Sequence, residues 1–264
     1  MKSLRKACMI WWRLAAANFS VMALSRLDFY TFLSGKCVRM FFFFFLIISL
    51  FSYTPTIGGY RREEVLLFFA LMNAFDVLAQ LVWFRGLTEV QRWVQKGEFD
   101  FILSKPVSPL FFSSFRIFDF FDLSTAPAMI FFLVYAFQAL GPLPLEQIIS
   151  GTYLCGIGFV LAYSIVLALS SLNFWTTEIH NAFWLYREAF YMAQYPPEMF
   201  PKGIQYTFIY AIPLFVIVSF PAKAFLGYST FGDIILATVL ASIFLCGSLA
   251  LWRSGLRHYT SASS

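Results

Sequence analysis

Charge is scarce in this chain of 264 residues: Asp, Glu, Lys and Arg make up 12% of it, about half of what a soluble domain carries. Together with 60% hydrophobic and 21% aromatic residues, that scarcity excludes a soluble globular protein and leaves no room for a sizeable soluble domain. The two histidines, His180 and His258, and the four cysteines, Cys8, Cys37, Cys155 and Cys246, are scattered. None falls at the spacing of a zinc site, and the cysteines form no disulfide framework. A P-loop is missing too. Ser34-Gly35-Lys36-Cys37 lacks both the first glycine and the Ser/Thr that coordinates magnesium, so the chain does not bind ATP through such a loop. There is no Gly-x-Ser-x-Gly elbow and no tandem repeat.

What the chain has is long apolar runs. A helix needs roughly 20 apolar residues to cross a hydrocarbon core of about 30 Å, and six segments meet that need: 37–57, 64–84, 115–138, 148–172, 206–226 and 232–252. The expected fold is all-α: a single polytopic membrane domain over residues 1–264, with six transmembrane helices. With the N-terminus in the cytoplasm, sixteen of the 19 Lys and Arg residues fall on the cytoplasmic side. Only Arg61, Arg62 and Lys223 fall outside, so the positive-inside rule puts both termini in the cytoplasm. The net charge of +5 is then loop charge and gives no sign of nucleic acid.

Two stretches fit this scheme less simply. In residues 173–203, a span would bury Glu178, Arg187 and Glu188, at about 2.5–3.5 kcal/mol each near the bilayer centre if unpaired. It would also turn Arg253 and Arg257 outward. The segment is therefore read as an interfacial helix ending at Tyr195-Pro196-Pro197. Residues 1–34 read as a cytoplasmic interfacial amphipathic helix. Lys2, Arg5, Lys6 and Arg13 share one arc, and Leu4, Cys8, Trp11, Ala15, Phe19 and Met22 lie opposite. The rival there is a signal peptide cleaved near Leu14-Ala15-Ala16-Ala17, but Arg13 interrupts its apolar run.

Polar residues inside the spans are the candidates for chemistry. Asn73, Asp76 and Gln80 share one helix face; an intramembrane carboxylate is either functional or paired where helices meet. Arg116, Asp119 and Asp122 recur every three residues at the base of the third span. They can pair along that helix or latch it to a neighbour. Small residues at Gly151, Cys155, Gly158 and Ala162, and at Ala237 and Ala241, mark close helix packing within or between subunits.

The stretch Gly97-Glu-Phe-Asp-Phe-Ile-Leu-Ser-Lys-Pro106 lies in the longest charged connection. Residues 87–96 suit a short helix ended by Gly97, and Pro106 and Pro109 stop any helix before the next span. This connection, 85–114, is longer than a simple reversal requires.

At Gly97, Phe99, Asp100, Leu103, Lys105, Pro106 and Pro109-Leu110 the chain resembles the permease subunits of ATP-binding-cassette transporters. The class is type 2, which includes the daunorubicin exporter permease. Tyr195-Pro-Pro-Glu-Met-Phe-Pro201 and the 211–227 stretch, with Pro213, Pro221, Ala222 and Gly227, extend the likeness over essentially the whole chain. The resemblance implies a bacterial inner-membrane permease, an exporter of unknown substrate, with no cofactor of its own. ATP and Mg belong to a separate ATPase subunit, which docks on a cytoplasmic coupling helix through Gly97, Glu98, Phe99, Asp100, Leu103, Lys105 and Pro106. It also implies a second permease subunit, identical or homologous, and contact with membrane lipid but not nucleic acid. Unlike larger exporters, the chain reads as lacking a substantial external segment before its last span. The rival readings are a membrane enzyme acting on a lipid-like substrate through Asp76 or Asp119 and Asp122, and an assembly factor that needs no ATPase.

Overall fold

A computed structural model describes residues 26–176 and 180–259. Most of the expected N-terminal interfacial helix, together with Glu178 and the tail beyond 259, lies outside these residues. Among the described residues the chain is helical, with no β-strand. The first span is α1, Arg26–Tyr53, which passes residues 34 and 37 as one unbroken helix.

α2, Arg62–Gln95, is the central post, with 78% of its most apolar stretch buried against 17% for α1. Its N-terminus is closed by the Glu64 carboxylate, whose Oε2 accepts from the Arg61 N–H at 2.8 Å. Glu63 and Glu64 in the first turn suit the positive end of the helix dipole. Thirty-four residues at 1.5 Å each make a rod of about 50 Å, well beyond the hydrocarbon thickness. The span expected at 64–84 and the short helix expected at 87–96 are thus one element. It contains a wider π-type turn at Gln80–Phe84 and ends where Gly97 takes a left-handed backbone, φ 70°.

Two short helices follow, α3, Phe99–Leu103, and α4, Pro109–Phe115. The third span is α5, Phe121–Leu140, and the fourth is α6, Leu145–Leu172. In lipid, helices associate by close packing rather than by expelling water. Phe132 of α5 accordingly meets Phe69 at 5.2 Å and Phe44 at 5.1 Å, while Phe42 and Phe45 on the other side of α1 stay exposed.

α7, His180–Tyr191, leads through Tyr195–Pro201 to a bent pair, α8, Lys202–Ala211, and α9, Leu214–Phe225, which turn by 97° at Pro213. α10, Phe231–His258, closes the fold, its N-terminus capped by Thr230 and Asp233. The small-residue face of α6 packs within the chain: a Cβ on Gly158 would stand 2.4 Å from the Ile217 carbonyl oxygen of α9.

Contacts sort the loops to two ends. The upper end gathers 54–61, 141–144 and 226–230, where Tyr60 meets Tyr228 and Gly227 meets Gln147. The lower end gathers 96–119 and 173–176, where Phe99 meets Phe174 and the Ser170 hydroxyl donates to the Leu87 carbonyl.

Residues 180–201 join these ends. Tyr186 stacks on Phe84, Arg187 reaches Asp76, Met199 packs on Gly58, and Glu198 accepts from the Tyr60 hydroxyl at 3.1 Å. This segment is the fifth crossing, not an interfacial helix. The penalty that argued against it is relieved because Arg187 has partners, Asp76 and the Tyr191 hydroxyl.

The bent pair returns to the upper end it left, since Lys223 near its close lies 2.5 Å from Glu198 just before its start. The apolar stretch expected to span at 206–226 is therefore re-entrant, and six crossings remain. It also supplies the segment before the last span that the sequence reading found missing. Lys202 joins Arg61, Arg62 and Lys223 at the upper end, and Arg187 lies between the two ends, beside Asp76.

Candidate functional site

Charges cluster toward the lower ends of four crossings. Lys36 of α1 pairs with Asp122 of α5, and its Nζ lies 3.4 Å from Asp76 Oδ2 of α2. Arg39 of α1 and Arg187 of α7 each stand 3.9 Å from the Asp76 carboxylate. Both carboxylates are buried, and each faces at least one cation. Buried carboxylates are tolerated in such a place only when paired, and here the pairing ties the crossings together.

Of the two polar neighbours on the same helix face, Asn73 turns its amide back to the Phe69 carbonyl at 2.8 Å, and Gln80 is buried where the π-type turn begins. The Arg116, Asp119 and Asp122 set is not strung along one helix, because 116–119 is an irregular break between α4 and α5. Asp119 pairs with Arg85 at 3.3 Å and caps the Phe121 N–H, while Arg116 lies over the rings of Trp93 and Phe112. Asp119 and Asp122 each pair with a residue of another helix, Arg85 and Lys36.

The lower elbow, 97–115, divides the predicted docking residues in two. Phe99 is fully buried, boxed by Phe174 at 5.2 Å, Tyr259 at 5.3 Å and Trp252 at 6.3 Å, with Ile102 buried beside it. Asp100 faces Tyr259, whose hydroxyl is pushed up to about 12 by burial and then by that carboxylate. Gly97 supplies the turn. The other side of the elbow is open. Leu103, Lys105 and Pro106 are exposed, and Glu98 lies 3.6 Å from Arg92. The most exposed apolar residue there is Phe101, at 72%, which the sequence reading passed over. In a helix, Phe99 and Ile102 at i and i+3 share a face, so Phe101 has to point away from them. The elbow is braced from below α2, where Gly86 lets the Ser113 and Ser114 carbonyls of α4 approach its backbone.

Between α1, α2 and the fifth crossing lies a cavity of about 520 Å³ that no sequence motif announced. Its apolar wall includes Met40, Phe43, Phe69, Met72 and Phe200; its polar wall includes Arg39, Glu188, Gln194 and Tyr195. Among the described residues, no group of His, Cys, Asp and Glu side chains could hold a metal ion.

At the upper end, Glu198 bridges Tyr60 and Lys223, and the Tyr228 hydroxyl donates to Glu64 at 2.6 Å. These bonds clasp the fifth crossing and the re-entrant pair to the head of α2.

A family model described as ABC-2 family transporter protein matches residues 37–263, nearly the whole chain. No curated protein and no solved structure matches it.

Proposed function

Because the chain belongs to the ABC-2 transporter family and is a membrane-spanning permease subunit rather than an enzyme in itself, we propose that it forms half of an export pathway driven by a separate ATPase. In this reading the lower end faces the cytoplasm of a bacterial inner membrane. Outside the ionic cluster, eight described Lys and Arg residues lie at that end (26, 85, 92, 96, 105, 116, 253 and 257) against four at the upper end, in keeping with the positive-inside rule. Both termini are then cytoplasmic, ATP and Mg stay on the partner, and a second permease copy or homologue completes the path.

The observation that carries this reading is the two-sided elbow. Its inner side, Phe99 and Ile102, is fixed to the protein, and its outer side offers Phe101 and Leu103 beside Glu98 and Lys105. An apolar knob with a polar rim, held rigid and aimed away from the membrane, fits a groove on a soluble subunit. The family resemblance favours outward transport.

Co-expression with candidate ATPases tests the proposal. A stable complex is expected from the unaltered chain, and Phe101→Glu with Leu103→Asp should abolish co-purification while the permease still inserts and stays monodisperse. A complex that forms equally well with that double variant would refute the docking site.

A further inference from the structure

The 520 Å³ cavity falls within the range that holds drug-sized molecules, about 300–1,000 Å³. Its walls are of two kinds. Phe43, Phe69, Met72 and Phe200 form an apolar surface of polarizable, adaptable side chains. The other wall is polar, and most of its charge is already answered: Arg39 faces Asp76 and lies over the Tyr191 ring, and the Tyr191 hydroxyl accepts from Arg187.

Three lining groups have no protein partner among the described residues. They are the exposed Glu188 carboxylate, the Tyr195 hydroxyl, and the Gln194 amide on a side chain only 7% exposed. The carboxylate and the amide open to the cavity: the first stands without a partner beside an apolar wall, and the second is on a side chain that is otherwise buried. A ligand with a positive charge and a hydrogen-bonding head satisfies both.

We propose that this cavity binds an amphipathic organic cation, its charge held at Glu188 near the Tyr191 and Tyr195 rings and its body against Phe43, Phe69, Met72 and Phe200. A cation suits the site because Glu188 is the lining charge that has no protein partner among the described residues, whereas Arg39 faces Asp76 and lies over the Tyr191 ring. Aromatic faces beside a carboxylate add attraction for bulky, weakly hydrated cations. That the bound cation is cargo rests on the permease reading above; the binding itself does not.

The test uses the full chain in nanodiscs of zwitterionic lipid and two ions of matched size and opposite charge, tetraphenylphosphonium and tetraphenylborate. Equilibrium dialysis with subtraction of empty discs should give saturable binding of the phosphonium alone. Glu188→Gln should weaken it by about tenfold, as for loss of a charged hydrogen-bonding partner, and Glu188→Asp should restore part of the loss. Because Glu188 is exposed, these variants do not disturb the core.

Equal saturable binding of both ions, no saturable binding of the phosphonium, or unchanged binding in Glu188→Gln would overturn the proposal. So would a Glu188→Gln variant whose only change is a shift in oligomeric state, since Glu188 would then be pairing with a second copy. No ATPase is needed for the assay. Failed co-purification with intact phosphonium binding therefore refutes the partner and spares the site, and the opposite result does the reverse.

Discussion

Arg187 Nη2 stands 3.9 Å from Asp76 Oδ1, joining the fifth crossing to the second at the level where α1 brings in Lys36 and Arg39. Removing the carboxylate leaves several cations poorly compensated among apolar neighbours. Asp76→Asn is expected to destabilise the protein by about 3–5 kcal/mol, the cost of breaking a buried pair from one side. Arg187→Gln should cost less, because the guanidinium is partly exposed. The double variant should fall short of the sum by about 0.5–3 kcal/mol, as for residues in contact. Apparent melting of the four proteins in one detergent measures the cycle, and strict additivity would mean that the two residues do not interact.

The re-entrant pair predicts where an impermeant thiol reagent reaches. In a background with the four native cysteines replaced, Lys202→Cys and Ser229→Cys should label from one side of the membrane and Ser104→Cys from the other. A fifth span at 206–226 with 173–203 at the opposite surface would put Lys202→Cys with Ser104→Cys instead.

Phe99 and Phe101, two residues apart, should respond oppositely. Phe99→Ala empties an aromatic box and is expected to cost about 3–5 kcal/mol, as for other buried Phe→Ala changes, with a drop in apparent melting temperature. Phe101→Ala should leave that temperature within about a degree, since surface changes stay within roughly ±0.5 kcal/mol, and should weaken ATPase co-purification. If Phe101→Ala lost stability as Phe99→Ala does, the elbow would have been assigned the wrong outer face.

The upper clasp should respond to alkali. Burial, and then the neighbouring Glu198, raise the Tyr60 hydroxyl above its ordinary value of 10.0. The Tyr228 hydroxyl is raised as well, through its bond to Glu64. A raised phenol binds its proton more tightly when folded. Its contribution is therefore fully present below about pH 10 and is lost as pH climbs from there toward the folded-state value. Melting measured from pH 8 to 11 should fall above pH 10, and less steeply in Tyr60→Phe. Identical slopes for the two proteins would show that Tyr60 does not set this sensitivity.

Much of the fold was legible because a membrane span is announced by uninterrupted apolar length, as in Met40 to Phe51 and Ile234 to Trp252. The fifth crossing was not. Arg187 and Glu188 look prohibitive in a linear reading, and the partner that relieves Arg187, Asp76, lies far away in sequence and belongs to another helix. The stretch 206–226 has the length and apolarity of a span, yet Pro213 cannot carry α8 straight into α9. Whether a helix broken there crosses or returns is decided by the long-range pair Glu198 and Lys223.

The ionic cluster was half visible: Asp76 and Asp122 stood out as costly residues, but Lys36 and Arg39 were counted as loop charge. The cavity left no local signal, since Arg39, Phe69, Glu188 and Phe200 come from three separate segments.

α2 runs as one rod from Glu64, under the upper clasp, past Phe69 and Met72 in the cavity wall and Asp76 in the ionic cluster, to Gln95 at the elbow. A helix is stiff along its axis and yields mainly where its hydrogen-bond ladder is irregular. A sideways push on the elbow therefore tilts the cavity wall through a lever, with the wide turn at Gln80–Phe84 as its softest joint. Stiffening that joint, or loosening it, would alter how far a push at the proposed docking face travels without touching either that face or the proposed ligand cavity.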